Sequence, residues 1–224
     1  MSRIENNLID RSSKYFSKYK KSNGDLSKEE LNLIITVEPI QLIRKMAKAS
    51  KNNSDYGEIK SGDIPQFSKL KHCGFDLVHR LAKLDFCYGF TYDEIGEIYL
   101  DDDHKQLAYK KYGENHAKTA EMFGLIFIDR GTRPHKSYLT NLGKLISENE
   151  YSIIDLVLTN TIITSSFFRY ILVKAYFEDV SVSKEIDFLA LETIKRRLPN
   201  IFGVLKFIED NSNGIEFIID SINK

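Results

Sequence analysis

Eight side chains between residues 110 and 136 have the types and spacing to grip a polyanion. Lys111, Glu114, Asn115 and Lys118 follow i, i+3, i+4, i+7 and share one helix face, with Lys110 beside them. Arg130, Arg133, His135 and Lys136 then crowd around Pro134 in DRGTRPHKS. Lysine and arginine neutralise phosphates without reading sequence, whereas an asparagine amide can take adenine bidentately from the major groove. The chemistry expected of this set is contact with double-stranded DNA, with Lys110, Lys111, Asn115, Lys118, Arg130, Arg133, His135 and Lys136 as the contacting residues.

Catalytic chemistry is harder to find. Glu58-Ile59-Lys60, with Asp55 and Asp63 nearby, has the residue types of a Mg²⁺-dependent nuclease, in which acids and a lysine on adjacent strands hold the metal and activate water. It lies in loop-like sequence, and no upstream strand carries a suitably spaced Asp. His116-Ala117-Lys118 has an H-x-K spacing used by one nuclease class, but the Asp that class requires falls at Phe123. No Gly-rich phosphate loop, G-x-S-x-G or H-E-x-x-H occurs. Cys73 and Cys87 lie near His72 and His79 but lack the paired short spacings of zinc sites, so they read as reduced thiols. No catalytic residue and no cofactor is expected, magnesium entering only if the chain is a nuclease.

The electrostatic case is local. The chain carries 32 basic and 32 acidic residues, which excludes a globally basic nucleic-acid binder. Residues 104–144 hold eight Lys/Arg against three Asp/Glu, a balance of +5, and three of the five histidines. The N-terminus has no signal-type apolar core, and the longest apolar run, from Tyr151 to Phe177, is interrupted by Asp155, Asn160 and Arg169. A soluble, cytoplasmic chain with no membrane partner is expected.

Elements must place these side chains. In the leader 1–24, Lys14, Lys18, Lys20 and Lys21 interleave with Tyr15, Phe16 and Tyr19, which reads as a solvated leader helix. Ser27 and Glu30 form a capping-box start, and Pro39 suits the first turn of PIQLIRKMAKASK, with Ile40, Ile43 and Ala47 on one side. Residues 51–65 are the most loop-like stretch. From Phe75 an apolar stripe of Leu77, Val78, Leu81, Leu84 and Phe86 predicts a helix stopped by Gly89. Thr91 caps a second, the acidic turn 101–103 follows, and a third helical region ends at Phe123-Gly124. Residues 125–128 are β-rich, SYL returns the chain, and Thr140 caps the helix NLGKLISE. Three helices, then a hairpin with a cationic tip, is the order of a winged helix-turn-helix.

The run HAKTAEMFGLIFIDRG…SYLTNLGKLI resembles the winged-helix modules in DNA-recognition regions of type II, especially type IIS, restriction endonucleases. The matching pieces are Ala117 and Ala120, Phe123-Gly124-Leu125-Ile126, and Leu139-Thr140 with Gly143, within residues 75–180. The L-T-x-x-G exit also occurs in many winged-helix transcription regulators. The resemblance implies the recognition part of a restriction–modification system, with cleavage in a separate nuclease subunit. A dimeric transcriptional regulator, a protein–protein scaffold and a small Mg²⁺-dependent restriction nuclease are the alternatives.

Farther on, SSFFRYILVKAYFED predicts a helix with Phe168, Ile171, Leu172 and Ala175 on one side, and KEIDFLALETIKRRL a further helix or two that Pro199 breaks. LKFIEDNSNGIEFIID reads as a hairpin around N-S-N-G. The expected fold is mainly α with small β-hairpins as wings, a tandem winged helix-turn-helix. Residues 1–70 would be an N-terminal helical extension, 71–150 a winged-helix DNA-binding domain and 151–224 a second winged-helix-like domain, for packing or dimerisation.

Overall fold

The computed structural model describes residues 34–50, 59–66, 76–84, 89–99, 106–148 and 151–224. The leader 1–24, the Ser27–Glu30 capping box, Asp55 and Glu58, His72 and Cys73, Phe86 and Cys87, and the acidic turn 101–103 lie outside the described residues. In chain order the elements are α1 (Pro39–Ser50), a 3-10 turn (Ser61–Asp63), α2 (Leu77–Ala82), α3 (Tyr92–Glu97), α4 (Gln106–Met122), β1 (Ile126–Asp129), β2 (Lys136–Leu139) and α5 (Asn141–Glu148). There follow α6 (Tyr151–Thr164), α7 (Ser166–Ala175), β3 (Val180–Ser181), α8 (Val182–Glu185), α9 (Leu191–Asp210), α10 (Glu216–Asp220) and β4 (Ile222–Asn223). Among the described residues the protein is mainly helical with one small antiparallel hairpin, β1–β2. It divides into two compact units, 76–148 and, discontinuously, 34–66 with 151–224.

In the 76–148 unit, local chemistry sets the element ends. Thr91 and Glu94 form a reciprocal capping box at the start of α3: Glu94 N donates to Thr91 Oγ1 (3.3 Å) and Thr91 N to Glu94 Oε2 (2.7 Å). At the exit of α4, Gly124 takes φ +70°, a conformation glycine adopts without steric cost. Gly124 N then donates to Glu121 O and Leu125 N to Ala120 O, each 2.9 Å, a Schellman closure that turns the chain into β1. The hairpin pairs Ile126 with Leu139 and Ile128 with Ser137, and these four residues face inward. Ser137 also exchanges both backbone bonds with Phe90, so the segment before α3 extends the hairpin on its second side. Thr140 caps α5, accepting from Gly143 N (2.9 Å) while its hydroxyl donates toward Gly124 O (2.8 Å) and Leu125 O (3.0 Å).

Helices α3 and α4 cross with their backbones in contact. A Cβ on Gly113 would stand 1.8 Å from Tyr92 O, and one on Gly96 would stand 2.1 Å from Tyr109 O. Leu77, Val78, Leu81, Ile95, Ala117, Ala120, Phe123, Leu125, Ile126 and Ile128 are almost wholly buried in this unit. Leu84, expected on the apolar stripe, is 47% exposed because α2 stops at Ala82 and the chain turns before it.

The other unit is built around α6 and α7, which meet at Ser165 with an 83° bend. From Val157 to Ser165 every residue of α6 and its exit is buried, and α7 buries Phe167 and Val173 as well as the expected Phe168, Ile171, Leu172 and Ala175. Among the described residues no single helix is long and apolar enough to cross a membrane. The buried Asn160 donates from Nδ2 to Ile34 O (2.8 Å) and Val37 O (2.7 Å), which ties the start of the unit to α6. Arg197 Nη1 likewise donates to Ile64 O (2.5 Å) and Asn200 Nδ2 to Gln66 O (2.6 Å).

Two expectations for this unit are corrected. Pro199 does not break the helix; it lies inside the 20-residue α9 on an exposed position, where the carbonyl it leaves without a donor can be hydrated. The hairpin expected over 205–220, and with it a second wing, is not formed. Ile201, Val204, Leu205 and Ile208 are buried at helical spacing, so the run belongs to α9, and N-S-N-G joins it to the short helix α10. Residues 211–214 do turn the chain, but the segments on either side have the period of a helix. The two-residue strands β3 and β4 pair in parallel instead, Val180 against Ile222.

Candidate nucleic-acid interface

Helix α4 is buried on most of its surface and presents one polar stripe. Lys110, Lys111 and Lys118 are exposed, and Glu114 and Asn115 are half-buried beside them. The helical period that puts Ala117, Ala120 and Phe123 into the core forces this set outward. Lys111 and Lys118 both converge on Glu114, Lys111 Nζ at 3.0 Å from Oε2 and Lys118 Nζ at 2.5 Å from Oε1. The hydrogen bond from Lys118, with that from Lys111, outweighs partial burial and holds the Glu114 carboxyl below its usual range. Asn115 forms no side-chain hydrogen bond among the described residues, and its backbone oxygen accepts from Thr119 Oγ1 (2.9 Å).

The turn between β1 and β2 carries the other cations. Asp129 Oδ1 accepts from Gly131 N (2.8 Å), which bends the chain at the tip, and Arg133 is exposed. His135 is half-buried: Nδ1 lies 3.0 Å from Thr132 O, and the ring meets Tyr92 edge-on at 6.2 Å. With Nδ1 bonded to a carbonyl, that nitrogen carries the proton and Nε2 remains for a ligand. Lys136, opposite Asp129 in the ladder, is half-buried at the base of the turn.

Arg130 is placed differently. Its Nη1 and Nη2 donate to the two oxygens of Glu121, each at 2.6 Å, and Nη1 also reaches Ile128 O at 3.2 Å. Glu121 is buried and accepts in addition from Ile128 N (3.4 Å). The bond to Glu121 raises the guanidinium above its ordinary value, and burial raises the neighbouring Tyr92 phenol. Arg130 therefore clamps the end of α4 to the hairpin, while its side chain stays partly exposed to solvent. Glu121 enters the sequence reading only as one of three acids, and its pairing with Arg130, nine positions on and across a turn, leaves no local signal. The Lys111–Glu114–Lys118 spacing was visible, but not that both lysines settle on one carboxylate.

Neither a protein-family model, nor a curated protein, nor a solved structure matches this chain.

Elsewhere one titratable cluster stands out. Lys174 Nζ lies 2.7 Å from Glu185 Oε1, and the Tyr170 hydroxyl donates to the other carboxylate oxygen. Burial and Glu185 raise the Tyr170 phenol, and Glu185 raises Lys174. Both shifts oppose the lowered values that a general base or nucleophile of these types needs. The cluster ties α7 to α8. Lys60 sits at the head of the 3-10 turn, its backbone N donating to Asp63 Oδ2 (2.8 Å), and not on a strand. Among the described residues no group of three His, Cys, Asp or Glu is arranged to hold a metal ion.

Proposed function

We propose that residues 76–148 form a single winged helix-turn-helix that binds double-stranded DNA. In this reading α4 enters the major groove and the β1–β2 turn is the wing. The observation that carries it is the outward stripe of α4, Lys111, Glu114, Asn115 and Lys118, on a helix fixed at its exit to a hairpin with a cationic tip. Asn115 and the lysines face base edges or phosphates, and Lys110, Arg133, His135 and Lys136 contact the backbone. Arg130 acts mainly by holding the wing to the helix. By its resemblance to restriction-endonuclease modules, the chain serves as the recognition part of a restriction–modification system, with cleavage supplied by a separate polypeptide.

Arg133→Ala combined with Lys136→Ala should weaken binding to all duplexes alike and lower the slope of log K against log salt by about two phosphate contacts. Titration of a labelled duplex across a salt series measures both. Unchanged affinity and slope would remove the wing from the reading, and no binding of the intact chain at low salt would remove DNA.

A further inference from the structure

A stripe meant only to hold phosphates would gain from lysine and arginine throughout. Here the centre of the stripe is a carboxylate. Glu114 is 24% exposed at its side chain, and Lys111 and Lys118 approach its two oxygens from opposite sides, one turn toward either end of α4. Exposed pairs of this kind add little to helix stability, so the arrangement is poorly explained as a device for folding. Its effect on a polyanion is larger. It cancels one of the two lysine charges and repels any phosphate that comes against the middle of the helix.

Resting on the DNA-binding reading, we propose that Glu114 is the specificity-determining group of α4 and selects duplexes with a cytosine opposite the centre of the helix. An ionised carboxylate only accepts hydrogen bonds. In the major groove, guanine presents N7 and O6 and thymine O4, all acceptors that repel it, while adenine sets its N7 acceptor next to its amine. Cytosine N4 offers a donor with no acceptor on the same base. The two lysines leave the helix seven residues apart, about 10 Å along the axis, and only their ammonium groups converge on Glu114. When Glu114 turns to a base edge, Lys111 and Lys118 are left free to take flanking phosphates or a neighbouring guanine. Asn115, next to Glu114 on the same stripe, reads an adjacent position.

The test is selection from a randomised duplex pool, run in parallel for the intact chain, Glu114→Gln and Glu114→Ala, with thermal melting of each protein. The intact chain should retain duplexes in which one position is cytosine. Glu114→Ala should lose that preference by roughly fivefold or more. It should also bind a fixed unrelated duplex more tightly, with a salt slope steeper by about one. Glu114→Gln, whose amide both donates and accepts, should move the preference from cytosine toward adenine. If the intact chain retains no duplex at low salt, the DNA reading falls and this inference falls with it. If it retains duplexes and both correctly melting variants retain the same sequences with the same affinity, DNA binding stands and the role of Glu114 is overturned.

Discussion

Glu121 in the 76–148 unit and Arg197 in the other unit are buried to the same depth, each 6% exposed. Glu121 meets an opposite charge: both its oxygens accept from Arg130, and a backbone amide adds a third bond. Arg197 meets none. Its guanidinium donates to Ile64 O, its Nε is buried without a partner, and burial followed by Arg196 holds it below its ordinary value. The same degree of burial thus describes two different objects. One is a joint between a helix and a hairpin whose two halves depend on each other. The other is a long side chain used for its packing and one hydrogen bond, with its charge tolerated.

Removing one half of the joint should have the largest effect. Arg130→Ala leaves the Glu121 carboxylate buried and unmatched, and should cost about 3 kcal/mol in urea unfolding. Glu121→Gln should cost less, because the Arg130 side chain is 42% exposed and can return to water. Equal losses for the two variants would mean that the pair is not the asymmetric joint described. A neutral polar contact in the same unit sets the intermediate scale. Thr140→Val removes the α5 cap and the bonds to Gly124 and Leu125, and should cost about 1–2 kcal/mol by the same measurement. The smallest change should come from the other unit: Arg197→Met keeps the apolar stem, discards the unmatched charge, and should alter stability by less than about 1 kcal/mol in either direction. A loss as large as that of Arg130→Ala would erase the distinction between the two sites.

What the sequence revealed divides along the same line. The caps at Thr91 and Thr140 and the turn at Gly124 act on neighbours within a few residues, and each bounds its element where the residue types predict. The stripe of α4 was equally legible, since it needs only the period of a helix. The run at 205–220 misled because isoleucine and phenylalanine alternate there with polar residues around a genuine turn. Burial of Ile201, Val204, Leu205 and Ile208 against the rest of the unit decides for helix. Contacts between distant residues left no local trace: Asn160 reaches Ile34, and Arg197 reaches Ile64, across more than a hundred positions. In the candidate interface the individual cations could be picked out, but not that Arg130 is already committed to Glu121 while Arg133 is exposed.

The glycine crossing of α3 and α4 has a mechanical consequence. Tyr92 and Tyr109 carbonyls press against Gly113 and Gly96 with no side chain between the helices, so neither helix can slide on the other. Helix α4 continues into β1 through the closed turn at Gly124, β1 is paired with β2, and β2 is bonded at Ser137 to Phe90, which leads back into α3. These four connections form a closed linkage with no free hinge. A push on the outer face of α4 or a pull on the tip at Arg133 is therefore passed through bonded or packed neighbours around the ring instead of being taken up at one joint.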